Sequence, residues 1–239
     1  MSRSRAEATP GFVLLPELGA PGERLTLDPD SSHYVARVCR ARAGETLSAT
    51  DGRGALARLE LIEVAPRAVA RVVAIEHRAR AREAIVWCGA CEASRADWLV
   101  EKLAELGVSA FVPVDGARAE WRVNPARLER WRRLGEAALR QSRRTHLLRI
   151  EPPRRLTDLL AERPGGAAGF VADPEGGAPG EPPPAGVAIG VIGPAEGFEP
   201  EELDRIRDRG FRTISLADGR LRTETAALAW AAWWARDRA

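Results

Sequence analysis

Three short segments combine residue types that could do chemistry. The segment Leu216-Ala217-Asp218-Gly219-Arg220-Leu221-Arg222-Thr223-Glu224-Thr225-Ala226 reads as the end of a strand, a polar turn and the start of a helix. Helix capping alone accounts for Thr223 and Glu224. Arg222 and Glu224, however, flank a helix N-terminus at the carboxyl end of a strand, the edge where open α/β sheets bind ligands. A carboxylate there can accept a proton, and a guanidinium can stabilise developing negative charge. The second segment, Gly190-Val191-Ile192-Gly193-Pro194-Ala195-Glu196-Gly197-Phe198, is a strand that ends in a Gly/Pro turn. Glycine in such a turn lets a ligand approach the backbone closely. It is neither a dinucleotide fingerprint nor a phosphate loop. The two loops follow successive strands and are expected to face one crevice.

The third segment, Trp87-Cys88-Gly89-Ala90-Cys91, lies between a strand and a helix, the setting of a thiol redox pair. A thiol oxidoreductase built on Cys88 and Cys91 is therefore an alternative reading. Against it, the motif follows a separate β-rich stretch, and the segment after it reads as a parallel α/β unit. With Cys39 and three scattered histidines, the pair lacks the spacing of a structural zinc site, so no metal is expected. Small packing residues at a strand end are the favoured reading.

The elements that must position these segments follow from periodicity and turn signals. Strands are expected at Phe12–Leu15, Arg24–Leu27, Leu47–Thr50, Ala57–Val64 and Val69–Ile75. Asp51-Gly52-Arg53-Gly54 is a hairpin signal, and a helix is expected from Asp30 to Ala41. Beyond a charged link the pattern becomes strand–helix–strand. Ala84–Cys88, Ala110–Val114, Gly169–Ala172, Val187–Ile192 and Thr213–Leu216 are strands, the mark of a mostly parallel sheet. Ser94 to Asp97 reads as a capping box for a helix that Gly107 stops, and Asn124 caps a long helix to about Arg144. Pro200–Arg209 and Thr223–Arg236 are the remaining helices. Asp173 to Gly186, with five prolines and four glycines in 14 residues, reads as a loop. The expected organisation is a polar tail over 1–10, a β-barrel domain over 11–76, a linker over 77–83 and an α/β domain over 84–239.

The chain of 239 residues carries a formal net charge of only +2, and Lys102 is its single lysine. With 45% apolar residues it is neither histone-like nor disordered. The charge is segregated. Arg118 to Arg155 holds 12 arginines against four acids, a net of +8; Asp158 to Asp208 holds 11 acids against three arginines, a net of −8. The basic stretch can neutralise phosphates, and arginine pairs with them bidentately. Trp121, amid these arginines, could stack a base or pack in a core. No apolar run is long enough to span a bilayer, the N-terminus lacks a secretory pattern, and three cysteines suit a reducing, cytoplasmic setting.

Taken together, these segments resemble the RsmE family of the SPOUT class, which methylates N3 of one uridine in 16S ribosomal RNA. Lys102 with Glu105-Leu106-Gly107-Val108 matches the family's K-x-x-E-L-G-V. Arg130-Trp131, Glu136-Ala137 and Gln141-Ser142-Arg143-Arg144 match its R-W…E-A…Q-S-x-R helix, and Arg118 falls where the family has an arginine. Ile192-Gly193-Pro194 opens its I-G-P-E-G-G-F loop. Leu221-Arg222-Thr223-Glu224-Thr225-Ala226 matches L-R-x-E-T-A in full, and His33-Tyr34-Val35 and Asp51-Gly52-Arg53-Gly54 resemble N-domain motifs. Two departures stand out: P-E-G-G reads Pro194-Ala195-Glu196-Gly197, and P-K-G aligns with Cys91-Glu92-Ala93. The altered loop makes a non-catalytic RNA-binding relative the main alternative.

The resemblance implies a SPOUT-type parallel α/β sheet with a C-terminal trefoil knot, preceded by a PUA-like β-barrel. It implies S-adenosylmethionine as cofactor, contacted by Ile192, Gly193, Pro194, Glu196, Gly197, Leu216, Ala217, Leu221, Thr223, Thr225 and Ala226. Glu224 is then the candidate base or orienter, and Arg222 the group that stabilises charge on the uracil oxygens. Lys102, Arg118, Arg143 and Arg144 would hold RNA. The expected partner is 16S rRNA or the small ribosomal subunit, with no membrane. The chain is expected to be a cytoplasmic homodimer, paired through the region of the last helix, where Trp230, Trp233 and Trp234 form a stripe. N3 lies on the Watson–Crick edge, so the target base must be unpaired or flipped out.

Overall fold

The computed structural model describes residues 11–236, so the expected tail over 1–10 lies outside it. The chain divides into two compact units. The first runs to Ala79 and also takes in Leu139–His146; the second comprises Arg80–Ala138 and Leu147 onward.

The first unit contains β1 (Phe12–Leu14), β2 (Arg24–Thr26), α1 (Pro29–His33), β3 (Thr46–Thr50), β4 (Ala55–Glu63) and β5 (Val69–His77). They form a five-stranded sheet in the order β1-β3-β4-β5-β2, in which β1 and β3 run parallel and the other pairs antiparallel. Along β4 every second residue is buried, so Ala55, Ala57, Leu59 and Leu61 face the core. The expected hairpin is present. Asp51 Oδ1 accepts from the N–H groups of Arg53 (2.7 Å) and Ala55 (3.1 Å), and Gly52 and Gly54 take positive φ. Thr145 closes on the same turn, its carbonyl accepting from Gly54 N–H at 2.8 Å. The helix expected over 30–41 is shorter. α1 spans five residues, capped by Asp28, and widens into a π-turn over Tyr34–Val38 that buries Val35. Arg40, at φ 50°, then ends the helical path.

The second unit contains β6 (Arg82–Cys88), α2 (Ala93–Leu106), β7 (Ala110–Asp115), α3 (Pro125–Ser142), β8 (Arg149–Ile150), β9 (Arg154–Arg155), α4 (Leu156–Ala161), β10 (Ala168–Gly177), β11 (Gly186–Ile192), α5 (Pro200–Asp208), β12 (Arg212–Ile214) and α6 (Thr223–Ala235). The last residues of α3 group with the first unit. The sheet order is β12-β10-β11-β6-β7-β8, with β9 also on β7, and every pair is parallel. Both faces are covered, as a parallel sheet requires. Ala84, Val86 and Cys88 of β6 join one apolar cluster with Phe111, Trp131 and Trp230; Trp87 joins the opposite one with Val191 and Phe211.

Several local expectations need correction. Ser94 does not cap α2. Glu92 occupies that position, and Asp97 instead accepts from Arg130 Nε (2.6 Å) and Trp131 Nε1 (2.9 Å) of α3. Gly107 does end α2, at φ 79°. The Pro/Gly stretch after 173 is not wholly loop: β10 continues through a bulge to Gly177, because Gly177 pairs with Ile214. Trp121 is a core residue, its Nε1 donating to the Cys88 carbonyl at 2.8 Å, so it is not available to stack a base. The tryptophans of α6 are likewise buried within the unit rather than displayed to a partner.

Candidate active site

The carboxyl ends of β10, β11 and β12 open onto one crevice, at the edge of a parallel sheet where ligands bind. Of the residues expected to hold a cofactor, Ile192, Gly193, Pro194 and Gly197 line it from the loop after β11. Leu216, Ala217, Leu221, Thr223 and Ala226 line it from the segment after β12. Glu196 and Thr225 do not: both are exposed, one on the outer side of its loop and one on the outer face of α6. The expectation missed Ala172, Asp173 and Pro174, which complete the wall from β10, a strand whose end had been read as loop.

The two loops are tied to each other. Thr223 Oγ1 donates to the Gly193 carbonyl at 3.0 Å, and Arg220 Nη2 donates to the Ala195 carbonyl at 2.8 Å. The altered Pro194-Ala195-Glu196-Gly197 sequence still closes a turn, with Gly197 N–H donating to the Pro194 carbonyl at 2.9 Å and Gly197 at φ 80°. Gly89 is obligatory beside this turn, since a Cβ there would lie 2.4 Å from Pro194 N.

A second pocket shares Ala195, Arg220, Leu221 and Thr223 with the crevice and adds Cys91, Glu92, Arg95, Arg222 and Glu224. Glu224 is 3% exposed, and its Oε1 is buried without a hydrogen-bond donor. Its cation is not Arg222. Arg95 Nε lies 3.3 Å from Glu224 Oε1, whereas Arg222 is exposed at the N-cap of α6. The carboxylate therefore pairs with Arg95 of α2 and not with its helix neighbour Arg222. A cation this close offsets part of the cost of burying a carboxylate so deeply.

The residues expected to hold RNA divide between the two units. Arg118 makes two bonds to Glu199, at 2.8 and 2.9 Å, and donates to the Glu196 carbonyl at 2.8 Å, so it braces the cofactor loop. Arg118 holds the Glu199 carboxyl below its ordinary range. Lys102 lies 2.7 Å from both Glu101 and Glu105 on α2. Arg143, at φ 53°, and Arg144, both exposed, belong to the segment that groups with the first unit. Of the 12 arginines in the basic stretch, Arg118, Arg127, Arg130, Arg132, Arg149 and Arg154 have a carboxylate within 4.0 Å. The +8 seen along the chain is thus partly neutralised in space.

The thiol reading fails on chemistry. Burial, with the Cys91 and Glu224 charges beside it, pushes the Cys88 thiol well up; burial, then Glu224, pushes Cys91 up to about 12. Redox exchange needs a thiolate near neutral pH, and both sulfurs are held as thiols. Among the described residues, no group of three or more His, Cys, Asp or Glu could hold a metal ion, and no helix is long and apolar enough to cross a membrane.

Residues 78–235 match the RNA methyltransferase domain family, and residues 27–73 match the RNA methyltransferase PUA domain. With the crevice at the carboxyl edge of a parallel sheet, these define an RNA methyltransferase domain joined to a PUA module. A ribosomal RNA small subunit methyltransferase E from Mycobacterium tuberculosis is 33% identical over 231 residues, covering 89% of this chain and 85% of that protein. One from Aquifex aeolicus is 33% identical over 132 residues, 54% of this chain and 58% of that protein. The same enzyme from Neisseria gonorrhoeae, solved bound to S-adenosyl methionine, superposes with a TM-score of 0.81 at 26% identity, covering 93% of this chain and 95% of that one. The chain belongs to the ribosomal RNA small subunit methyltransferase E family.

Proposed function

We propose that this protein uses S-adenosylmethionine to methylate N3 of one uridine in 16S ribosomal RNA. The observation that carries this reading is the shared wall: Leu221 and Thr223 border both the crevice and the pocket that contains the buried Glu224 carboxylate. The crevice suits the cofactor. Its apolar side chains (Ile192, Leu216, Leu221) fit an adenine ring, and its glycines leave backbone groups within reach. A Cβ at Gly197 would meet nothing within 4 Å, so the turn is not crowded from inside. When bound, S-adenosylmethionine supplies an electrophilic methyl group and leaves as a neutral thioether.

The chain's own residues then hold the base and move one proton. Glu224 accepts the N3 proton as the N3–methyl bond forms, and Arg222 faces the charge that grows on the uracil oxygens. Arg143 and Arg144 are assigned to phosphate contacts. Arg118 and Lys102 act indirectly, by bracing the loop and α2. The family resemblance supports a trefoil knot formed as α6 returns to the sheet, domain limits near residues 77–83, and work in the cytoplasm on the RNA or the small subunit. We assign a homodimer, with exposed Trp98 of α2 as an apolar contact; sedimentation showing only monomer would remove that part.

The test is single-turnover methyl transfer to small-subunit RNA with Glu224→Gln. Loss of transfer with cofactor affinity within about twofold, as expected for a group acting only in the chemical step, supports the reading. Retained transfer would assign the proton to another group. Mass mapping of the modified nucleotide identifies the uridine.

A further inference from the structure

Glu224 poses a physical problem: it is an almost fully buried carboxylate whose inner oxygen no group donates to. A buried carboxylate normally acquires both a cation and hydrogen-bond donors. Here it has the cation alone. Arg95 Nε is 3.3 Å from Glu224 Oε1, but its N–H donates to Glu92 Oε2, 3.4 Å away. Glu92 is 68% exposed on its side chain, Arg95 44% and Glu224 4%, so the three run from solvent into the pocket. Glu92 stands at the N-cap of α2 and Arg95 lies in its first turn, which holds both on one rigid element. Arg220 and Arg222 from the loop before α6, and Cys91 from the turn between β6 and α2, are the other charged or ionisable groups that line the pocket.

We propose that Arg95 is a positioning residue for methyl transfer. Tethered by Glu92, it holds a cation 3.3 Å from the Glu224 carboxylate yet leaves the Oε1 lone pair unclaimed. The pocket can then receive one N–H donor of a ligand, the imide N–H of an unpaired pyrimidine. An arginine that donated straight to Oε1 would occupy the site that the substrate proton needs. This inference rests on Glu224 being the proton acceptor.

The test is a double-mutant cycle read by single-turnover rate, by KM for RNA and by cofactor affinity. Arg95→Ala is expected to slow the chemical step about tenfold or more, with KM and cofactor affinity little changed. Arg95→Lys, which keeps the charge, should recover most of the rate. Adding Arg95→Ala to Glu224→Gln should cost nothing further, because residues acting through one another are not additive. An unchanged rate in Arg95→Ala, an additive loss, or a loss confined to KM for RNA overturns the inference while leaving Glu224 as acceptor. An active Glu224→Gln variant overturns both, and is distinguished by that single variant alone.

Discussion

Gly190 in β11 lies directly beneath the indole of Trp230, so that a Cβ built on the glycine would come within 2.4 Å of the ring. Trp230 is fully buried on α6, seven residues after the Thr223 that begins this helix. The contact seats α6 on the central strand and so sets where Glu224 enters the pocket.

Gly190→Ala is therefore expected to destabilise the fold by about 1–3 kcal/mol, the usual cost of forcing atoms into a packed core. Calorimetric unfolding measures it. An unchanged midpoint would mean that α6 can slide on the sheet.

Thr223→Val keeps the shape of the side chain but leaves the Gly193 carbonyl without its donor. Loss of one such bond costs about 1–3 kcal/mol. Because the bond ties the two crevice loops, most of the effect should fall on cofactor affinity. Titration calorimetry should find roughly tenfold weaker binding, since 1.4 kcal/mol is tenfold in affinity.

The Arg118–Glu199 pair makes a prediction about acid. Arg118 depresses the Glu199 carboxyl, so the pair's support of the 196–199 loop is present above the ordinary carboxylate range and is lost as pH falls below that range through the depressed value of the folded protein. In Arg118→Ala the Glu199 carboxyl should titrate at higher pH than in the wild type, observable by carboxyl NMR. Identical titration would show that the pair does not persist in solution.

Cys91, pushed up to about 12, should resist alkylation at pH 8 and react about tenfold faster for each pH unit gained below that value. Iodoacetamide labelling followed by mass spectrometry checks this. Rapid labelling at neutral pH would revive a thiolate role. Methyl transfer should survive Cys91→Ser, since nothing in the proposed step uses a cysteine thiol.

Much of this protein is legible along the chain because its information is local. The alternation of short apolar runs with capped helical stretches specifies a parallel sheet, since strands buried on both faces must be apolar throughout; Gly107 marks a helix end by its backbone geometry and Asn124 a helix start by its side-chain cap. The L-R-x-E-T-A segment and the Gly193-Pro194 turn point to the crevice because short motifs carry their own conformation. What folding alone decided concerns long side chains and distant partners. Arg95 and Glu224, 129 positions apart, share a charge; Arg118 serves a loop rather than displaying a free cation; six arginines of the basic stretch acquire carboxylates. Coulomb pairing depends on distance in space, and an arginine side chain can reach several partners. A count of charges along the chain therefore bounds the field of the protein, while only the packed structure determines which charges remain for RNA.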